Sequence, residues 1–260
     1  MPIRTVTATR YVTPLREGGS LPAIVEGDDD GLYVLKFRGA GQGPRALVAE
    51  LVCAGIARVL DLPVPEVVFM SLDADLARSE PDPEIQDLIR ASAGVNLALD
   101  YLPGALAFDP VMHRPDAALA SAIVWFDALV GNVDRTTRNT NMLMWHRRLW
   151  LIDHGAALYF HHAWDGALDR ARQPFALIAD HVLLPWASQL AAADARLAPL
   201  LTPERIAAAV AAIPDDWLPP EPAFADAAAQ RQAYVEYFAR RLEAPRAFAE
   251  EAARAHAAHL

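Results

Sequence analysis

The sequence predicts an α+β protein in two unequal parts, a small β-rich part followed by a larger helical one. Three observations carry this prediction. Short β-branched and aromatic runs broken by Asp/Gly turns fill the first hundred residues. From Pro115 onward the chain is alanine-rich with helical spacing. At 260 residues and 53% hydrophobic content, the chain can bury a sizeable core as one large domain or as two lobes around a cleft.

The elements follow in order. A strand near Thr7–Val12 leads into Arg16-Glu17-Gly18-Gly19-Ser20, which reads as a turn. Ala23–Glu26 and Leu32–Phe37 are strands joined by Gly27 to Gly31, a hairpin turn of Asp/Gly chemistry. Pro44 opens a helix over Arg45–Leu60, with Leu47, Leu51, Ile56 and Val59 on one face, and Pro63 and Pro65 end it. Val67–Ser71 is a strand, Asp73–Ala93 a polar, partly helical excursion, and Asn96–Tyr101 a strand broken by Pro103-Gly104. That break divides residues 1–98 from 99–260. Helices are expected near Ala117–Val130, Ile178–Leu190, Pro203–Ala212 and Ala225–Ala257. One hairpin, Asn141–Trp145 and Leu149–Ile152 around His146-Arg147-Arg148, interrupts the helices.

Charge and cysteine content narrow the function. With 23 Lys+Arg against 33 Asp+Glu, the net charge is -10 and no basic run is present. A phosphate backbone needs clustered cations, so no nucleic-acid partner is expected. A nucleotide needs only one or two cations and a metal. The single cysteine, Cys53, lies in an apolar helix and reads as core; it leaves no intramolecular disulfide and makes a reducing cytoplasm the expected compartment. Glu50, Arg58 and Asp127 interrupt the longest apolar runs, and Met1 to Thr13 has no apolar leader core, so neither a membrane span nor a signal peptide is expected. His154, His161 and His162 with Asp153 and Asp165 lack metal-site spacing, and the six tryptophans read as packing.

Four pieces carry chemistry. Lys36 follows an apolar β run in Tyr33-Val34-Leu35-Lys36-Phe37, and Glu50 lies fourteen residues on, in the helix that would pack on that strand. Asp134 opens a polar loop running to Asn141. Asp153 ends the apolar strand Leu151-Ile152 and precedes His154-Gly155, a position poorly suited to a solvated face. Each piece suits phosphoryl transfer. A strand lysine held by a helix carboxylate neutralises the nonreacting phosphates, an acid near the transferred group orients or deprotonates an acceptor hydroxyl, and Asn with Asp holds Mg²⁺.

The order Lys, helix Glu, Asp-loop-Asn, Asp-x-Gly resembles the protein-kinase-like superfamily. Gly131-Asn132-Val133-Asp134 looks most like the opening of the catalytic loop in HipA-like kinases, and Asp134-Arg135 is more distantly similar to the phosphoinositide kinases. The likeness runs from about Leu15 to Tyr159, with a weaker echo at Asp180-His181 to Leu184. It implies a two-lobed protein-kinase-like fold and ATP as cofactor with Mg²⁺. By residue it implies Lys36 on the phosphates and Glu50 orienting it, Gly18, Gly19 and Ser20 near the phosphates, Asp100, Tyr101 and Leu102 at the adenine, and Asp134 serving the acceptor.

The resemblance implies Asp153 with Asn139 or Asn141 as the metal ligands. Family spacing points to Asn139, whereas the apolar strand that follows directly points to Asn141, which we favour. Thr136 stands where the family has histidine, leaving Arg135 or Arg138 to supply the lost positive charge, and His154 replaces the middle phenylalanine of Asp-Phe-Gly. Full HipA toxins also carry an N-terminal subdomain for which this chain has little room. The resemblance implies a hydroxyl acceptor, with protein Ser/Thr as the candidate. A nucleotide-binding pseudokinase and a nucleotidyl transferase on the same fold remain the alternatives.

Overall fold

The computed structural model describes residues 3–15, 21–41 and 43–259. Strands β1 (Thr5–Pro14), β2 (Ala23–Gly27), β3 (Leu32–Lys36), β4 (Val67–Leu72) and β5 (Gly94–Asp100) close into a barrel in the order β1-β2-β3-β5-β4. Closure comes from a parallel pairing of β1 with β4, Val6 opposite Met70, which removes the free edges of an open sheet. Side chains alternate across each strand. Val6, Ala8, Ala23, Val25, Tyr33, Leu35, Val68, Met70 and Ala98 therefore fill the barrel, sealed by Ile85 and Ile89 of α2 (Pro83–Ala91). With Leu35 inside, Lys36 must face outward, and it lies opposite Leu97 on β5.

That outer face packs on α1 (Pro44–Val59). The sequence suggested one apolar face, but every residue from Leu47 to Ala54 is buried, Glu50 included. The reason is packing on several sides: a single core joins α1 to Val67, Leu97 and Leu99 of the barrel and to the helices beyond. At Gly55 a methyl group would meet the Cβ of Ala209 at 3.0 Å, so the glycine permits the close crossing of α1 with a later helix.

The second part comprises α3 (Ala117–Val130), α4 (Ala167–Arg170), α5 (Leu190–Leu197), α6 (Pro203–Ala211), α7 (Ala227–Leu242) and α8 (Ala247–Ala258). The expected hairpin is present as β7 (Met142–Trp145) and β8 (Arg148–Leu151), and β6 (Leu106–Ala107) adds a third strand to it. Two expected helices need correction. Residues 178–190 form 3-10 turns at Ala176–Asp180 and Leu184–Trp186, because Pro185 can neither donate to nor fit inside a helix, and α5 begins only at Leu190. Likewise, Pro245 divides residues 225–257 into α7 and α8. Among the described residues, no helix is long and apolar enough to cross a membrane.

The end of α3 is fixed with care, since the candidate loop follows it. Gly131 closes the helix in a left-handed conformation (φ 63°). The buried Arg241 of α7 donates to the carbonyls of Ala128 and Leu129 at 2.7 and 2.6 Å, and also to Ala171 and Gln173. A cation on the last carbonyls of a helix meets the negative end of its dipole.

Candidate active site

Lys36, Glu50 and Asp153 form one ionic group. Lys36 Nζ donates to Glu50 Oε2 at 2.5 Å and to Asp153 Oδ1 at 2.7 Å, joining β3, α1 and the segment after β8. Glu50 is wholly buried, the Lys36 side chain is 13% exposed and Asp153 46%, so the group opens to solvent mainly at the aspartate. Burial opposes the charged ammonium, yet the two carboxylates outweigh it and raise the Lys36 pKa above its ordinary value. Burial also pushes Glu50 up, but Lys36 and the hydrogen bonds from His154 more than offset this and hold it below the usual carboxylate range. His154 completes the group. Its backbone N–H donates to Glu50 Oε2 at 2.8 Å, its Nδ1 lies 3.3 Å from Oε1, and its ring packs edge-on against Phe126. The residue that departs from the family pattern thus braces the glutamate.

Asp134 sits in a loop of interlocking amides. Its backbone N–H donates to Asn132 Oδ1 at 3.1 Å. Its Oδ2 accepts from Asn139 Nδ2 at 2.9 Å and from Asn141 Nδ2 at 3.1 Å, and its carbonyl accepts a second bond from Asn141 at 2.8 Å. The structure therefore brings both asparagines to Asp134 but sets them differently. Asn139 is exposed. Asn141, in a left-handed conformation (φ 46°), is buried, and its carbonyl accepts from the Ile152 N–H at 3.0 Å, which places it beside the Asp153 segment. Because Asn141 Nδ2 is spent on Asp134, its Oδ1 is the side-chain atom left for a cation.

Arg135 requires a correction. Expected to lend positive charge to catalysis, its side chain is fully buried, with Nε donating to Asp127 Oδ2 at 2.5 Å and Nη1 to the carbonyls of Asn141 and Ile152. A guanidinium enclosed in this way cannot meet a phosphate. Asp127, which the sequence showed only as an interruption of an apolar run, accepts from Asn132 Nδ2 at 3.0 Å and lies 2.9 Å from His181 Nε2. The Leu183 N–H donates to His181 Nδ1, so the ring proton resides on Nε2 and is given to Asp127. Burial pushes Asp127 up, and the Arg135 charge with the His181 hydrogen bond overrides it, leaving the carboxyl well below its ordinary range.

The remaining candidates are dispersed. Arg138 lies on the exposed turn after Asp134, where its N–H donates to Thr136 Oγ1, and it borders a recess of about 630 Å³ with Asp180 and His259; none of its contacts among the described residues reaches Lys36, Glu50 or Asp153. Asp100 ends β5 and Tyr101 and Leu102 follow it; Asp100 N–H donates to the Glu66 carbonyl and Tyr101 N–H to that of Leu32. Gly18, Gly19 and Ser20 lie outside the described residues.

The donor set suits a hard divalent cation. Asn141 Oδ1 and the partly exposed Asp153 carboxylate offer oxygen alone, and two protein ligands match an ion that keeps water and phosphate in its shell.

The model of one protein family, the HipA-like kinases, matches residues 9–248, and the chain belongs to that family. No curated protein matches its sequence significantly. Among solved structures, the Helicobacter pylori proinflammatory kinase CtkA is similar over 100% of this chain and 99% of its own, at 12% identity and a TM-score of 0.53. The Golgi casein kinase, solved with Mn/ADP bound, covers 93% of this chain and 73% of its own at 13% identity, with a TM-score of 0.46. The likeness to CtkA establishes an α+β kinase-like fold.

Proposed function

We propose that the protein is an ATP- and Mg²⁺-dependent phosphotransferase that moves the γ-phosphoryl group to a hydroxyl acceptor, with protein Ser/Thr as the acceptor class. The observation that carries this reading is the single ammonium shared by Glu50 and Asp153, which unites strand, helix and Asp-x-Gly turn at one partly open point.

In this reading residues 1–98 and 99–260 are the two lobes, and the main chain at Asp100, Tyr101 and Leu102 receives the adenine. Lys36 holds the α- and β-phosphates, and its raised pKa keeps it charged at neutral pH. Glu50, itself fixed by Lys36 and His154, sets the direction of the ammonium. Asn141 and Asp153 hold Mg²⁺, which supplies charge neutralisation on the phosphates. Asp134, oriented by Asn139 and Asn141, accepts a hydrogen bond from the acceptor hydroxyl and takes its proton as the new P–O bond forms and the bond from the γ-phosphorus to the β–γ bridging oxygen breaks, releasing ADP. No protein nucleophile is required.

Incubation with Mg²⁺ and ATP labelled at either the γ- or the α-phosphate tests the reading. Transfer of the γ label alone to the protein or to a lysate fraction is the expected result. Transfer of the α label would replace it with nucleotidyl transfer, and MgATP binding without transfer or hydrolysis would replace it with a pseudokinase.

A further inference from the structure

We infer that Asp127, Arg135 and His181 are positioning residues, a buried strut that holds the segments of Asp134, Asn141 and Asp153 in register. The inference rests on the phosphotransferase reading for what those three segments do, but its geometry is independent of that reading.

Arg135 touches all three. It follows Asp134 directly in the chain, its Nη1 donates to the carbonyl of Asn141, and the same nitrogen lies 3.4 Å from the carbonyl of Ile152, whose peptide unit carries the Asp153 N–H. A planar guanidinium serves here because its donors leave at fixed angles, so holding one nitrogen aims the others. Asp127 does the holding, through the 2.5 Å bond to Nε.

His181 in turn keeps Asp127 still. Its Nε2 shares the same carboxylate oxygen at 2.9 Å, while its Nδ1 is occupied by the Leu183 N–H. The backbone repeats the link: Thr136 pairs with His181, and the Val182 N–H donates to the Arg135 carbonyl at 3.0 Å. The loop bearing Asp134 is thereby fastened to α3 on one side and to residues 181–183 on the other. A buried ion pair is rarely a net source of stability compared with apolar packing. Its presence where three site segments converge points to geometry, in the way that outer contacts orient the ligands of a metal.

Three variants test this, in two independent measurements. His181→Leu removes the donor to Asp127, His181→Gln keeps an amide N–H for it, and Arg135→Lys keeps the charge but loses the fork. Backbone amide exchange, read by mass spectrometry without nucleotide, should accelerate about tenfold or more over residues 132–141 and 151–155 in His181→Leu and Arg135→Lys, with 203–211 and 227–242 unchanged. His181→Gln should stay close to wild type. Unchanged exchange in those two segments, or acceleration spread evenly over the chain, overturns the inference. If His181→Leu does not fold, the other two variants carry the comparison.

The second measurement is the Mg²⁺ concentration giving half of the ATP-dependent rise in melting temperature, taken together with kcat. Both should worsen about 10- to 100-fold in His181→Leu and Arg135→Lys and recover largely in His181→Gln. A merely structural role would lower the melting temperature and leave both unmoved in the folded protein. Wild-type protein indifferent to MgATP would remove the phosphotransferase reading while the exchange result still decides on the strut. Wild-type protein that binds MgATP, with His181→Leu and Arg135→Lys matching it in both quantities, would overturn the strut and leave that reading standing.

Discussion

Two ionic groups lie at the heart of this molecule, and they share a design up to a point. In each, a buried carboxylate from a largely apolar helix holds one cation: Glu50 of α1 holds Lys36, and Asp127 of α3 holds Arg135. They part at the far end. The lysine's second partner is Asp153, 46% exposed, whereas the arginine's further contacts are main-chain carbonyls, and its counter-charge Asp127 and the His181 beside it are buried. A group open at one end can exchange a partner for an incoming phosphate or cation. A sealed group can only keep its neighbours where they are.

If that contrast is right, the largest effect follows from breaking the sealed group. Asp127→Ala leaves Arg135 buried without its counter-charge and should cost about 3–5 kcal/mol in urea denaturation. Asp153→Asn, at the open end, should cost no more than about 1 kcal/mol. Equal losses would erase the distinction.

Next in size is Asp134→Asn, which should lower turnover by about 10²- to 10⁴-fold while MgATP affinity stays within a few-fold if, as proposed, the group serves the acceptor. Undiminished transfer in this variant would remove Asp134 from the mechanism. Within the open group, Lys36→Met and Glu50→Gln should each reduce activity, and the double variant should be little worse than Lys36→Met if, as proposed, the carboxylate works through the ammonium. Fully additive losses would show two separate roles.

A separate test is the pH dependence of stability. Burial, reinforced by His162 and Arg45, pushes His161 down to about 3, so this ring stays neutral in the fold while the unfolded chain takes up its proton near 6.5. Its contribution is present in full above that value and declines at about 1.4 kcal/mol per pH unit as the pH falls toward 3. His161→Phe should flatten the fall in stability between pH 6.5 and 4. An unaltered slope would contradict the assignment.

The contrast between the two groups also marks what the sequence could disclose. Lys36, Glu50 and Asp153 were legible because strand and helix periodicities are local: an ammonium after an apolar β run and a carboxylate in an apolar helix identify themselves. Asp127 sent the same signal, a charge that an apolar helix cannot bury alone, but nothing local named Arg135 as its partner, and His181 lies 54 residues away. Barrel closure through the pairing of β1 with β4 was hidden for the same reason, since a parallel pairing of distant strands leaves no turn to read. The errors at Pro185 and Pro245 were of another kind. There a helical apolar pattern runs through a proline, and the proline ends the helix whatever the pattern on either side.

The central claim is that Lys36, Asn141 and Asp153 receive a nucleotide together with a divalent cation. Thermal melting of wild type and Asp153→Ala, each alone, with ATP and with ATP plus Mg²⁺, tests it most directly. The account predicts that MgATP raises the wild-type melting temperature and that Asp153→Ala abolishes the Mg²⁺-dependent part of that rise. A wild-type melting curve unmoved by millimolar MgATP, or a Mg²⁺-dependent rise that survives in Asp153→Ala, would contradict it.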